Sequence, residues 1–78
     1  SAASDVYKRQ VLKVWRGRGI GRQIMQALMQ QARQQGLPGV ELSAQYYARS
    51  FYEDMGFQAE GGIYMEAGIE HIAMRLAF

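Results

Sequence analysis

An α/β fold on a mixed sheet, with elements in the order β-α-β-α-β-β, is what these 78 residues predict. Three observations point to it. Between Gly21 and Gly36 apolar residues recur at helical spacing. Further on, "GVELSAQ" and "HIAMRLAF" alternate apolar and polar residues with the period of a half-buried strand. Short turn signals join the final segments, so those strands are expected to run antiparallel.

The elements follow in order. Residues 11–15, "VLKVW", are short and β-compatible and read as the tail of a strand. A glycine turn follows. The first helix begins after Gly21, with Ile24, Ala27, Leu28 and Ala32 on its apolar stripe and Ile20 one turn earlier. Its glutamines mostly cover the opposite side, and Gly36 and Pro38 supply the stop. Val40, Leu42 and Ala44 then alternate with Glu41, Ser43 and Gln45 in a strand. The first three elements make a βαβ unit with parallel strands and a right-handed crossover. A second helix is expected over residues 46–55, with Ala48, Phe51, Tyr52 and Met55 on one side and Gly56 as its stop. Beyond it, "FQAE" and "IYME" are separated by Gly61-Gly62, which reads as a hairpin turn, and Ala67-Gly68 marks another. In the last strand Ile72, Met74, Leu76 and Phe78 alternate with His71, Ala73, Arg75 and Ala77.

Composition narrows the function. The chain is 49% hydrophobic and 21% charged, which suits one globular domain rather than a disordered segment. A net charge of +2 is too slight to argue for nucleic acid or a membrane surface. Without cysteine there are no disulfides, no cysteine-type zinc site and no thiol catalysis, which fits a reducing, cytoplasmic setting. One histidine and scattered carboxylates form no metal-ligand set. No apolar run approaches the ~18 residues of a membrane span. The first ten residues, "SAASDVYKRQ", have no apolar centre of a signal peptide and no turn chemistry before "VLKVW". They resemble translated adapter read-through at the ends of metagenomic gene fragments, so residues 1–10 are expected to be a non-native leader and residues 11–78 the domain.

Three glycines, Gly17, Gly19 and Gly21, crowd the strand-to-helix junction in "RGRGIGR". The first backbone N–H groups of a helix lack internal partners, and the helix dipole adds positive potential there. Glycines let that backbone curl so that its N–H groups converge on an anion, most naturally a phosphate or pyrophosphate. Arg16, Arg18 and Arg22 would add charge around it. Two other readings stand beside this one: a tight turn and nothing more, or a basic segment that contacts RNA. The stretch is no Walker loop, because no lysine followed by serine or threonine closes it, and it lacks the third glycine of a dinucleotide fingerprint.

"RGRGIG" resembles the acetyl-coenzyme A pyrophosphate loop of the GNAT superfamily of N-acetyltransferases, with Arg16, Gly19 and Gly21 in the patterned places. "AQYYARSFYEDMGF" resembles a later segment of the same superfamily through Ala48, Tyr52, Gly56 and Phe57. The ending "GIYMEAGIEHIAMRL" resembles its ElaA-like branch. The resemblance covers residues 11–78 and implies the C-terminal portion of a GNAT acyltransferase fold. In such enzymes two neighbouring parallel strands splay apart, and the cofactor's pantetheine arm lies in the opening.

By resemblance, then, the chain is identified with an N-acetyltransferase that moves an acetyl group from acetyl-CoA, its co-substrate, directly to an amine. Arg16, Gly17, Arg18, Gly19, Ile20, Gly21 and Arg22 would form the cofactor loop, with the N–H groups of residues 18–21 on the pyrophosphate. Gln45 stands where many members carry a cofactor-contacting asparagine, and it keeps the amide. Tyr52 matches the tyrosine that gives a proton to the departing thiolate; read without the resemblance, it is an aromatic on the packed side of a helix. His71 invites a general-base role against a structural one on a strand. Glu41, Glu66 and Glu70 are substrate-amine contacts or, more plainly, solvated carboxylates. The carbonyl-polarising strand and the early helices that shape the acceptor pocket are missing or replaced, so these residues alone are expected to be inactive. The partner is a small-molecule or peptide amine, with no nucleic acid or membrane, and exposed strand edges favour self-association into a homo-oligomer. The rival class is a non-catalytic module that binds coenzyme A or phosphate, or pairs with another chain.

Overall fold

In the computed structural model, which describes residues 11–14 and 21–78, seven elements follow one another. They are β1 (Leu12–Val14), α1 (Arg22–Gln34), β2 (Gly39–Gln45), a 3-10 turn (Tyr46–Ala48), α2 (Arg49–Glu53), β3 (Gln58–Glu66) and β4 (Ile69–Ala77). The strands form one sheet in the order β1-β2-β4-β3. β1 and β2 are parallel, with Leu12 opposite Val40 and Val14 opposite Leu42. β4 is antiparallel to both β2 and β3. This is the mixed β-α-β-α-β-β sheet read from the sequence. The expected leader, residues 1–10, and residues 15–20 of the glycine turn lie outside the described residues.

Helix α1 begins and ends on glycine. Gly21 is its N-cap in an extended conformation, φ −78° and ψ 173°, and its carbonyl accepts the first helical bond from the Met25 N–H at 3.0 Å. At the other end Gly36 has φ +76°; its N–H donates to the Arg33 carbonyl, and the Leu37 N–H donates to the Ala32 carbonyl, both at 3.0 Å. That pair of bonds is a Schellman motif, which a left-handed glycine permits without a Cβ clash. The stripe that α1 buries is turned from the one expected. Met25 and Ala32 are fully buried, Leu28 and Met29 are half-buried, and Ile24 and Ala27 are exposed. The apolar arc of this helix is wider than the strip the sheet can cover, and the sheet takes the methionine side.

The core lies between the two helices and one face of the sheet. Val40, Leu42 and Ala44 of β2 stand opposite Leu76, Met74 and Ile72 of β4, and Met25, Ala32, Tyr52 and Phe57 close over them. Adjacent positions on these strands form the second, more open face, where Lys13, Glu41, Ser43, His71, Ala73 and Arg75 lie. Gly39 lets β2 start close against β4. A Cβ there would sit 2.2 Å from the Leu76 carbonyl oxygen, a backbone atom with little freedom to retreat.

Two further expectations change. Gly61-Gly62 is no hairpin turn: residues 58–60 and 64–66 belong to one strand, because both sets find partners along the nine-residue β4. Between Glu60 and Tyr64 the register slips against Ala73 and His71, and Gly61 at φ +77° absorbs the extra residues as a bulge. The hairpin lies at Ala67-Gly68, where both residues have positive φ, 51° and 75°, as a two-residue primed turn requires. Likewise, the helix expected over residues 46–55 is a 3-10 turn followed by only five α-helical residues. Neither its N-cap nor its first turn supplies a side-chain cap or an acidic residue, so little holds the start in α geometry.

Chemical denaturation of the chain checks this packing at two places. Gly39→Ala is expected to destabilise by about 1–3 kcal/mol as β2 is pushed from β4, whereas Gly62→Ala, which meets open space, should stay within ~0.5 kcal/mol. Met25→Ala is expected to cost about 2–5 kcal/mol. Ile24→Ala, at a position 55% exposed, should cost under ~1 kcal/mol; equal losses at 24 and 25 would mean that the helix presents a different side.

Candidate functional site

Tyr52 is placed by the turn that follows it. Gly56 has φ +101°; its N–H donates to the Glu53 carbonyl at 2.9 Å, and the Phe57 N–H donates to the Tyr52 carbonyl at 3.1 Å. This second Schellman motif folds Phe57 back toward α2. The Phe57 ring meets Tyr52 edge-on, with centroids 5.8 Å apart, and the Phe51 ring is also edge-on to it at 5.1 Å. An added Cβ at 56 would also press on Leu76 Cδ1 at 3.1 Å. Tyr52, Gly56 and Phe57 are therefore one geometric unit, which gives a physical reason for their spacing. The Tyr52 ring is 2% exposed. Burial, and then the neighbouring Tyr47, push its phenol above the ordinary value of 10.0, so the O–H keeps its proton at neutral pH. Such a group can donate to a developing anion.

Among the described residues nothing lies within 4 Å of where a Cβ at Gly21 would be, no side chain caps α1, and no acidic residue occupies its first turn. Among those residues, then, no capping carboxylate competes for the leading N–H groups of α1, as suits an anion. Arg22 is exposed, and its guanidinium lies 5.8 Å from the centroid of Phe51, which ties the start of α1 to α2. Arg16, Gly17, Arg18, Gly19 and Ile20 lie outside the described residues. Gln45 is half-buried at the end of β2, opposite His71.

The β1–β2 ladder reaches its last described rung at Val14 and Leu42, while β2 continues to Gln45. Ala44, just past that rung, belongs to the same buried cluster as Tyr52. On the opposite sheet face, Tyr64 reaches over β4 so that its hydroxyl meets the Ser43 hydroxyl. The small side chain of Ala73, opposite Ser43, leaves room for the crossing. His71 is held on three sides. Its Nδ1 donates to the Ile69 carbonyl at 2.7 Å, its Nε2 lies 3.6 Å from Glu66 Oε2, and its ring stacks on Tyr64 at 5.9 Å. The sequence named His71 and Glu66 but not Tyr64 or Ser43. Their meeting depends on two strands that are not neighbours, and alternation within each strand says only that both point outward. Glu70 is exposed and stands opposite Met65, away from this cluster.

A recess of about 380 Å³ is lined by Gly56, Gln58, Glu60 and Arg75, among others, and an ion pair of 3.4 Å joins Arg75 to Glu60 across it. Tyr52 and the start of α1 do not line it, so volume alone does not mark the chemistry here. Among the described residues no group of histidine, cysteine and carboxylates could hold a metal ion, and no helix is long and apolar enough to cross a membrane.

Comparison with known proteins places the fold in a family. The family model of the GNAT acetyltransferase domain matches residues 2–78. Protein YyaT of Bacillus subtilis is 34% identical over 64 residues, covering 82% of this chain and 43% of its own length. The UPF0039 protein sll0451 of Synechocystis is 40% identical over 63 residues, covering 80% and 41%. Among solved structures, an acyl-CoA N-acyltransferase from Pseudomonas aeruginosa superposes with a TM-score of 0.69 at 41% identity, covering 80% of this chain and 42% of that one. The chain thus spans less than half the length of the relatives it matches. The unit of Tyr52, Gly56 and Phe57 falls inside the matched stretch, as does the start of α1, and the chain belongs to the GNAT acetyltransferase domain family.

Proposed function

We propose that this chain forms the cofactor-holding and acid-donating part of an N-acetyltransferase, which moves an acetyl group from acetyl-CoA to an amine by direct transfer. The observation that carries the reading is Tyr52: a phenol that keeps its proton, locked by the Gly56 turn, in one buried cluster with Ala44 of β2. In this reading the backbone of residues 18–21 holds the diphosphate, Arg16 and Arg22 add charge, and the Gln45 amide meets the cofactor. The amine lone pair forms the C–N bond to the thioester carbonyl carbon, and the C–S bond breaks. Sulfur takes the Tyr52 proton, the surplus proton on nitrogen leaves to water, and the tyrosinate is reprotonated from water. Holding amine and thioester together supplies much of the rate. The expected setting is cytoplasmic. The 78 residues alone are not expected to turn over, since they span less than half the length of the relatives they match.

Steady-state assays on a longer version, with a complete GNAT domain restored, test the reading. Tyr52→Phe keeps the ring that packs on Phe51 and Phe57, so coenzyme A affinity should hold while kcat falls about 10²-fold. Unchanged transfer would remove Tyr52 from the catalytic role. Because burial raises the phenol, the unsubstituted enzyme should lose activity on the alkaline side only above pH 10.0, and Tyr52→Phe should lack that limb. Purified 78-residue chain that acetylates an amine would overturn the expectation of inactivity.

A further inference from the structure

Among the described residues β3 has a ladder partner on one side only, where it meets β4. It contains neither lysine nor proline, residues that commonly keep such an edge from pairing. Exposed apolar side chains gather near its end instead: Ile63 is 47%, Tyr64 40% and Met65 63% exposed. We propose, independently of the acyl-transfer reading, that residues 62–66 of β3 pair antiparallel with the same residues of a second copy of this chain. The two-fold axis passes at Tyr64, so that the two sheets continue as one.

The hairpin turn sets which backbone groups face the open edge. Ala67-Gly68 is a two-residue turn, so Glu66 and Ile69 close it with their own hydrogen bonds. Along an antiparallel ladder, bonded pairs alternate with unbonded ones. Met65, opposite Glu70, is therefore an unbonded position, and its N–H and C=O point away from β4. Ile63 shares that direction by strand alternation and has no ladder partner on β4. With Tyr64 on the axis, Ile63 stands opposite Met65 of the second copy. The outward N–H and C=O groups of each then meet those of the other.

Charge and geometry select this register over its neighbours. With the axis at Tyr64, Glu66 faces Gly62, so no carboxylate meets another across the paired stretch. An axis at Ile63 would carry the pairing into the bulge at Gly61, φ +77°, and bring Glu60 toward Glu66 of the second copy. An axis at Met65 would set Ile63 opposite Ala67, where the chain has already turned with φ 51°. The side chains agree with the choice. Ile63 and Met65 share one face by alternation, so an apolar pair forms on each side of the axis. Tyr64, on the other face, leans across β4 to the Ser43 hydroxyl and stacks on His71. That keeps its ring clear of the axis and lets the two backbones close.

The interface is small, so association should be weak, on the order of 0.1–1 mM. Light scattering across that range should carry the mass from the 8.8 kDa of one chain to twice that and no further. A mixture of carbon-13-labelled and unlabelled chains reads the register by NMR. A filtered contact should join the Tyr64 Hα of one copy to the Tyr64 Hα of the other; a contact from Tyr64 Hα to Glu66 Hα, or contacts through α1 in its place, would overturn the proposal. Met65→Lys should weaken association about tenfold or more. Ile24→Lys, at an exposed position on α1, should leave it within about twofold. A mass that stays at one chain, growth past two copies, or equal losses in the two variants would also overturn it. The filtered contacts use the unsubstituted chain, so they decide the matter even for a variant that unfolds.

Discussion

A single left-handed glycine governs the candidate chemistry. At Gly56 the chain leaves α2 with φ +101°, and two backbone bonds turn Phe57 onto Tyr52. Everything near the phenol follows from that reversal. Phe51 and Phe57 both pack edge-on to the ring, β3 is launched beside β4, and Leu76 packs so near that a methyl at 56 would touch it. A helix of five residues is too short to be stable by itself. Its hold on Tyr52 comes from this terminal turn and from burial of the ring.

The sheet divides the remaining tasks between its faces. One face is apolar and carries the core against α1 and α2; the other carries hydroxyls, carboxylates and cations along the same strands. Period-two alternation produces both from one stretch of sequence, as Val40, Leu42 and Ala44 against Glu41 and Ser43 demonstrate.

Much of this was legible in residue order, and the failures have physical causes. Gly36 and Gly56 announced helix ends because only a left-handed residue completes the terminal bonds. Alternation located β2 and β4, and Ala67-Gly68 located their hairpin partner's turn. Gly61-Gly62 misled because a glycine pair serves a bulge as well as a turn, and the choice depends on the length of the facing strand. The stripe on α1 was misjudged because Ile24 and Met25 are both apolar, and only the sheet decides which is covered. Tyr64 and Ser43 were invisible as a pair, since nothing local records that β4 lies between β2 and β3. Tyr52 was found by its spacing to Gly56 and Phe57, and the terminal turn now supplies the reason for that spacing.

The most direct check of the central claim is chemical synthesis of the chain with alanine at 56 in either hand. Gly56→Ala made with L-alanine should lower the denaturation midpoint, by about 1–2 kcal/mol of stability, and should weaken the proton contacts between the Tyr52 and Phe57 rings seen by NMR. D-alanine, which favours positive φ, should preserve both more nearly. If the L-form keeps the glycine chain's stability and the same ring contacts, the left-handed turn does not hold Tyr52, and the account built on it fails.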